Sequence, residues 1–325
     1  MRMPTAETVL EAHTRLQGCV LTTPVLRNDV LDELAGARLF IKCENLQLTG
    51  SFKIRGAMNR LLQIPPERKA AGVVAFSSGN HAQGVARAAR LLGMPALIVM
   101  PSDAPGVKIA GVRADAADIH LYDRNTESRE AIAERIAHER GAVLVPSFDD
   151  PFIVEGQGSC GVEFARQTQE LGVELDHIIC CAGGGGLITG LSLGFTASSP
   201  STRVWTAEPA DHDDWRRSLD SGDIQVNEPG TRSICDAILT PSPGELTWEL
   251  GKQLLAGGRA ASDDQIRDAM RLAFRHLKLV VEPGGAAALA CALHDLPAQA
   301  KGGNVGIIIS GGNVDPKQFA AILTG

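Results

Sequence analysis

Aromatic residues and excess positive charge are both lacking in this chain. Among 325 residues there are one Tyr and three Trp, and Phe, Trp and Tyr together make up 4%. Proteins that bind single-stranded nucleic acids stack the bases on aromatic side chains, so a platform of that kind is not expected. Acidic residues outnumber basic ones by 38 to 31, and the net charge of −7 argues against a nucleic-acid or anionic-membrane partner.

A long apolar run is also missing, so no segment is predicted to span a bilayer. Residues 1–16 have a polar start followed by an amphipathic pattern, which predicts a helix rather than a signal peptide. The seven cysteines are irregularly spaced and include no C-x-x-C pair. This pattern predicts reduced, buried thiols in a cytoplasmic protein, without a zinc site. The cysteines are Cys19, Cys43, Cys160, Cys180, Cys181, Cys235 and Cys291.

Short apolar runs alternate with helical patterns along almost the whole chain. Several runs are apolar on both faces, as buried parallel strands are, and the alternation predicts an α/β fold with mostly parallel sheets. The predicted strands are 39–41, 73–76, 96–100, 118–121, 143–145, 177–181, 203–207 and 304–310. The predicted helices include 80–92, 127–140, 153–170, 262–279 and 285–294.

The domain organisation follows from where these elements cluster. Residues 70–148 contain a compact set of strands and helices and lead into the sequence PSFDDP, which has the character of a hinge. We expect 70–148 to form a small domain that closes on the substrate. The large domain would be discontinuous, made of 1–69 and 149–325.

Lys53 lies in the sequence SFKIRG (51–56), between an aromatic residue and a small-residue turn. Taken alone it would be an ordinary solvated lysine. A lysine in such a place can also hold an aldehyde cofactor as a Schiff base. Three glycine-containing loops farther along the chain favour this second interpretation.

Four consecutive glycines, Gly183 to Gly186, follow the predicted strand 177–181 and precede a helical pattern. Such a run leaves several backbone N–H groups free to converge on an anion, and the helix adds its positive N-terminal end. A tight strand-to-helix turn would need only one or two glycines. The loop therefore predicts a phosphate-binding site.

A competing motif, G-x-G-x-x-G, occurs at 156–161 with acidic residues downstream, and it matches a dinucleotide-binding fingerprint. No clean buried strand precedes it, because Pro151 interrupts that segment. The glycines fall within the helical pattern 153–170. We therefore expect them to serve close helix packing rather than nicotinamide binding.

Two further loops follow predicted strands. The sequence SSGNHAQG (77–84) offers hydroxyl, amide and N–H groups suited to a carboxylate, although either serine could be a plain helix cap. His81 in it could be only a helix-start residue. The sequence SGGN (310–313) places the Ser310 hydroxyl where it could meet a ring nitrogen. Together with Lys53 and the glycine loop, these elements supply what pyridoxal phosphate (PLP) needs.

These motifs, with EPGGAA (282–287), occur in the order and with the spacing of the serine/threonine dehydratase family, which includes serine racemase. The chain resembles that family over nearly the whole of the family's catalytic domain. The resemblance implies a fold type II PLP enzyme, similar to tryptophan synthase β, with two three-layer α/β/α domains. It also implies a homodimer. No regulatory domain of the kind found in biosynthetic threonine dehydratases is expected, and hence no feedback by isoleucine.

The resemblance also implies a role for each matching residue. Lys53 would hold the cofactor and act as the acid/base on the substrate Cα, while Phe52 packs beside the ring and Ser310 contacts the pyridine nitrogen. Asn80 would bond the phenolic oxygen. Ser78 would bind carboxylate or, as in serine racemase, protonate the opposite face of Cα. The expected phosphate ligands are Gly183, Gly184, Gly185, Gly186 and Leu187, and the expected substrate-carboxylate ligands are Ser77, Ser78, Gly79, Asn80 and His81.

The resemblance also implies a site for a divalent metal, and the chain differs from the family's usual sequence at one position near the cofactor. The segment 208–214 resembles the metal site of the racemase-like branch, with Glu208 and Asp214 as carboxylate ligands and His212 as a carbonyl ligand; a solvated acidic loop is the alternative. Hard oxygen ligands suit Mg²⁺ or Ca²⁺, with Mn²⁺ a further candidate. Ala237 stands where the family usually has glycine, which could alter substrate choice.

The function predicted from the sequence is a PLP-dependent ammonia-lyase that converts a small β-hydroxy amino acid, by default L-serine or L-threonine, to a 2-oxo acid and ammonia. The alternatives are a 3-hydroxyaspartate dehydratase and an amino-acid racemase with the same site. A β-replacing synthase and a ligand-binding protein without catalysis are more distant alternatives.

Overall fold

The computed structural model describes residues 2–77, 79–104 and 106–325, apart from the side chain of Val107. Helices and strands alternate through most of these residues, as predicted. The helices are α1 (Ala6–Arg15), α2 (Asp29–Ala35), α3 (Lys53–Leu62), α4 (Pro66–Lys69), α5 (Asn80–Leu91), α6 (Gly106–Ala114), α7 (Arg129–Arg140), α8 (Pro151–Glu170), α9 (Gly186–Ser198), α10 (Asp214–Ser221), α11 (Glu245–Leu254), α12 (Asp263–Leu272), α13 (Pro283–His294) and α14 (Pro316–Thr324). The strands are β1 (Val25–Leu26), β2 (Arg38–Cys43), β3 (Val73–Phe76), β4 (Ala96–Pro101), β5 (Asp118–Tyr122), β6 (Val143–Leu144), β7 (His177–Cys181), β8 (Arg203–Pro209), β9 (Leu255–Ala261) and β10 (Asn304–Ile309).

The larger sheet has six strands in the order β1-β2-β10-β7-β8-β9. Only β1 runs antiparallel to its neighbour. All residues of β7 are buried, and so are all of β10 after Asn304, because both strands lie inside the sheet. The carboxyl ends of parallel strands share one edge of a sheet, where open α/β folds bind ligands. The ends of β7 and β10 therefore bring the glycine loop and Ser310 to that edge.

The smaller sheet has four parallel strands in the order β5-β4-β3-β6. It is built from residues within 73–144, and α5 to α7 connect its strands. The predicted α/β class with mostly parallel sheets is confirmed. The exact division of the chain into domains stays a prediction.

Strand β9 was not predicted, because its sequence LAGGRAA contains no apolar run. Its glycines instead allow close packing against bulky groups. A Cβ on Gly257 would lie 2.8 Å from the Trp205 ring, and one on Gly258 would lie 2.6 Å from Arg216 Cα. Strand β9 therefore has glycine at positions where a typical strand has large apolar residues, because Trp205 and Arg216 already fill that space.

Helix α8 contains the whole G-x-G-x-x-G motif, as predicted, and its glycines lie against α3 and α9. A Cβ on Gly156 would lie 2.6 Å from the Arg55 carbonyl oxygen, and one on Gly158 would lie 2.6 Å from that of Gly190. These contacts explain the glycines by helix packing. The predicted helix 262–279 is partly wrong, since α12 ends at Leu272 and the chain continues as a wider π-helical turn, Ala273–Leu277.

None of the described helices combines the length and the apolar character needed to cross a bilayer.

Candidate active site

Lys53 is the first residue of α3, and the chain just before it is pinned to the end of β10. The Phe52 N–H donates to the Ser310 carbonyl oxygen at 3.1 Å. Ser51 forms an isolated antiparallel bridge with Gly311. The predicted cofactor lysine and the predicted ring-nitrogen ligand thus lie side by side.

The side chain of Lys53 is partly buried. Its Nζ donates to the Ser147 carbonyl oxygen at 2.9 Å and lies 5.2 Å from the centre of the Phe52 ring. Burial disfavours the ammonium form and lowers the pKa of Lys53 to about 8, although Cys181 and Glu282 act in the opposite direction. Roughly a tenth of the amine is then neutral at pH 7, far more than for an ordinary lysine, and the neutral form is the one that a nucleophile or base requires.

The glycine loop joins β7 to α9, and protein donors hold its carbonyl groups. The Trp215 indole N–H donates to Gly183 O and the Thr247 hydroxyl to Gly184 O, both at 2.6 Å. Over the residues that the structure describes, the N–H groups of 183–187 have no protein acceptor. These donors at the start of a thirteen-residue helix suit a phosphate.

Side chains would not fit in this loop. A Cβ on Gly184 would overlap the Phe148 ring, and one on Gly185 would overlap Trp215. Gly185 also has a φ of +97°, in the left-handed region that favours glycine. The four-glycine run therefore reflects both close packing and the exposure of backbone donors.

The loop predicted to bind a carboxylate begins at Ser77, directly after β3, and is called the carboxylate loop below. The Ser77 hydroxyl accepts the Gly79 N–H at 3.1 Å, and α5 begins at Asn80. His81 Nε2 lies 2.9 Å from the Val145 carbonyl oxygen, and burial lowers the pKa of His81 to about 3, so its imidazole is neutral. Ser78, predicted as a catalytic and substrate-binding residue, lies outside the described residues.

Glu282 is a site residue that the sequence reasoning missed, although it begins the quoted sequence EPGGAA. Its carboxylate accepts from Asn80 Nδ2 at 2.6 Å, while Asn80 Oδ1 accepts from Asn313 Nδ2 at 2.8 Å. Glu282 is the N-cap of α13 and is 3% exposed. Burial raises its pKa to about 7, partly offset by the bond from Asn80.

Ser310 is also buried, next to the end of β7. The Cys181 thiol donates to the Ser310 hydroxyl oxygen at 3.2 Å. A hydroxyl that accepts one bond keeps its own proton to donate elsewhere. Ser310 can therefore act as a neutral hydrogen-bond donor, as a contact to an unprotonated ring nitrogen requires.

Lys108 and Asp236 form an ion pair beside this site, and neither residue was singled out in the sequence analysis. Lys108 Nζ lies 2.7 Å from Asp236 Oδ2. It also lies 4.0 Å from the position of a Cβ on Gly79, beside the carboxylate loop. Ala237 follows Asp236, and its methyl group lies 3.3 Å from the position of a Cβ on Gly284, at the start of α13.

The predicted metal ligands lie between β8 and α10. The Glu208 carboxylate accepts the N–H groups of Trp215 and Arg216 at 2.8 and 2.9 Å, and burial raises its pKa, as does the charge of Asp214. Burial also raises the pKa of Asp214 to about 7, and its buried Oδ2 has no partner among the described residues. Two buried carboxyls and an unpaired oxygen fit a hard cation.

The described part of the chain contains no cluster of three or more His, Cys, Asp or Glu side chains arranged to hold a metal. The predicted site uses only two carboxylates and the His212 carbonyl. Instead of serving as a ligand, the His212 ring lies with its Nε2 3.3 Å from the Thr231 hydroxyl. The metal stays a prediction.

Residues 16–311 match the family model described as "Pyridoxal-phosphate dependent enzyme". The chain belongs to this family of PLP-dependent enzymes. The predicted fold type II architecture and the predicted family are thereby confirmed. The partly buried Lys53, the N–H groups of the glycine loop and Ser310 fit the aldehyde, phosphate and ring nitrogen of that cofactor, respectively.

Similar proteins carry more than one activity in their names. The chain is 43% identical to an L-threo-3-hydroxyaspartate ammonia-lyase of a Pseudomonas species, with 100% of both chains aligned. It is 39% identical to a protein of the same name from Saccharomyces cerevisiae, with 100% of this chain and 98% of the other aligned. The structure of maize serine racemase superposes with a TM-score of 0.93 at 38% identity, over 98% of this chain and 97% of that one.

Proposed function

We propose that this protein is an ammonia-lyase that converts 3-hydroxyaspartate to oxaloacetate and ammonia. The observation that carries a PLP-dependent lyase is the convergence of the partly buried Lys53 with three strand-end loops at one site. Two relatives named as L-threo-3-hydroxyaspartate ammonia-lyases support the dicarboxylic substrate over the L-serine and L-threonine expected from the sequence.

The chain's own residues divide the work of such a reaction. PLP, when bound, supplies an electron sink that makes the substrate Cα–H acidic. Lys53 would hold the cofactor's aldehyde carbon and, once released, accept the Cα proton, since its lowered pKa leaves neutral amine available. The N–H groups of residues 183–187 would bind the phosphate, with Phe52 beside the ring and Ser310 at the ring nitrogen.

The polar loop after β3 would hold the substrate's α-carboxylate. Ser77 already fixes the loop through the Gly79 N–H, and α5 directs its N-terminal end at the site. His81 is neutral and buried, so in this scheme it positions the loop and contributes hydrogen bonding rather than charge. Asn80 lies between this loop and Glu282, which suits a contact to the cofactor's phenolic oxygen.

The test is 2-oxo acid release by the PLP-loaded enzyme with Mg²⁺. The panel is L-serine, D-serine, L-threonine and the threo and erythro isomers of 3-hydroxyaspartate. We expect the highest kcat/KM for a 3-hydroxyaspartate isomer. Faster release from L-serine or L-threonine would replace the proposed substrate, and no release from any of the five would contradict the reaction.

Serine racemisation is the second candidate, supported by the likeness to maize serine racemase and by the Ser77-Ser78 pair in the sequence. D-Serine formation from L-serine, followed by chiral chromatography, distinguishes it from the lyase. We also propose that the enzyme is a homodimer, that 70–148 form its substrate-closing domain, and that Mg²⁺ binds at Glu208, His212 and Asp214.

A further inference from the structure

A cation and a carboxylate from opposite sides of the cleft meet beside the carboxylate loop. Lys108 belongs to α6, which packs with the smaller sheet, whereas Asp236 lies in a short 3₁₀ helix, Asp236–Ile238, packed against α13. Their contact of 2.7 Å joins residues 128 positions apart. The two charges also act on the buried Glu282, since Asp236 raises the pKa of Glu282 and Lys108 lowers it. The pair is therefore part of the site's electrostatics.

Lys108 has unused capacity to bind an anion. An ammonium group has three donors, and among the residues that the structure describes only Asp236 accepts from Lys108. The Lys108 side chain is 19% exposed, so a carboxylate that bonds to it would displace little water. Charge-assisted bonds of this kind are roughly twice as strong as neutral ones.

The other cations near the cleft are less suited to this role. Lys53 is committed to the cofactor in the proposed function. Arg129 stacks over the Phe76 ring at 5.6 Å, but its side chain is 49% exposed and pairs with Glu130. Lys108 alone of these three lies beside Gly79. In the proposed function the loop after β3 already holds the substrate's α-carboxylate, so the group left for Lys108 is the neighbouring carboxylate on Cβ.

From these contacts we propose that Lys108 binds the β-carboxylate of the substrate and thereby makes the enzyme selective for a dicarboxylic β-hydroxy amino acid. The inference rests on the proposed function. Asp236 holds the lysine in place before the substrate arrives. On binding, the substrate's β-carboxylate takes one of the two free donors, and Lys108 bridges it to Asp236.

The experiment separates binding of the β-carboxylate from turnover. L-Aspartate has a β-carboxylate but no β-hydroxyl to lose, and L-alanine has neither. The Kd of each is measured through the change in cofactor absorption of the PLP-loaded enzyme. The variants are Lys108→Gln, Arg129→Gln as the rival cation, and Arg124→Gln as a control arginine, which pairs with Asp103 and is exposed to solvent as its partner is.

We expect Lys108→Gln to weaken L-aspartate binding by about 10- to 100-fold, as loss of a charged hydrogen bond does. L-Alanine binding should change by less than about threefold, because Lys108 is not needed for the α-carboxylate. The ratio of kcat/KM for 3-hydroxyaspartate to that for L-serine should fall by a similar factor. Arg124→Gln should leave all of these values unchanged.

Equal losses of affinity for L-aspartate and L-alanine in Lys108→Gln would overturn the proposal. They would mean that Lys108 has only a structural role, through its ion pair with Asp236. A selective loss in Arg129→Gln but not in Lys108→Gln would overturn it in favour of Arg129. The role of Lys108 and the proposed ammonia-lyase activity are tested by different measurements, so either can fail without the other. Selective loss of L-aspartate binding supports the role of Lys108 even if wild-type enzyme releases no 2-oxo acid from 3-hydroxyaspartate.

Discussion

Asn80 donates a 2.6 Å hydrogen bond to the buried carboxylate of Glu282, and this bond joins the start of α5 to the start of α13. Helix α5 packs on the smaller sheet and α13 on the larger one. The charge of Glu282 depends on pH near neutrality, because burial at this junction disfavours the ionised carboxylate and raises its pKa.

The contribution of Glu282 to stability should consequently fall as pH rises from about 4.5 to about 7. Its pKa is raised from 4.5 to about 7, so between these values the folded protein binds more protons than the unfolded chain. The free energy of unfolding should drop across this range by roughly 3 kcal/mol from this group. Urea unfolding at pH 5 and pH 8 measures the drop, and Glu282→Gln, which keeps an acceptor for Asn80, should show a smaller one. An equal drop in both proteins would contradict this account.

Replacement of Lys53 by alanine should reduce 2-oxo acid release by more than about 10³-fold, because the base and the cofactor attachment are lost together. Far-ultraviolet circular dichroism should show an unchanged fold. Borohydride reduction followed by peptide mass spectrometry should find the cofactor adduct at Lys53 in the wild type. The exposed Lys301→Ala serves as the control and should keep both activity and adduct.

The glycine loop predicts a position-specific effect of one added methyl group. Gly184→Ala would overlap the Phe148 ring and displace the phosphate donors. We expect at least about tenfold weaker PLP binding and a loss of about 1–3 kcal/mol in the free energy of unfolding. Gly106→Ala, at the start of α6, meets no atom within 4 Å and should change neither value appreciably. Fluorescence titration with PLP and urea unfolding give the two numbers.

Glu163 belongs to a buried charge network beside α3, the helix that begins with Lys53. Its carboxylate accepts from Lys42 and from both guanidinium nitrogens Nη1 and Nη2 of Arg55, and Arg55 is also paired with Glu44. Glu163→Gln leaves buried positive charge uncompensated and should cost about 3–5 kcal/mol of unfolding free energy.

The matched control for this network is Glu139→Gln, which breaks the exposed pair with Arg135 on α7. It should leave the unfolding free energy within about 0.5 kcal/mol of the wild type. Equal effects of the two variants would show that the buried network contributes no more than a surface ion pair.

The sequence was most informative where local pattern and local structure coincide. Strands β3 and β7 have the predicted bounds because each is a continuous apolar run ending in a polar or glycine-rich loop. Strand β9 escaped prediction because the bulk of Trp205 and Arg216, distant in sequence, dictates its glycines. The motif at 156–161 was assigned correctly because Pro151 excluded a preceding strand.

Contacts between residues far apart in the sequence could not be predicted from local patterns. The contacts of Glu282 with Asn80 and of Lys108 with Asp236 span 202 and 128 positions, and no local pattern marks either partner. Glu282 occurs in a quoted motif but resembles an ordinary helix cap. Their roles emerge only from burial and from neighbouring charges, which are properties of the folded chain.

The bond from the Phe52 N–H to the Ser310 carbonyl also has a consequence for how the protein is made. During synthesis the ribosome adds Lys53 early, but the strand that fixes its position follows some 250 positions later. Contacts between such distant segments form late and slowly in folding. A nascent chain should therefore acquire its cofactor only after β10 has emerged, and translation arrested before that point should yield a lysine without a pocket.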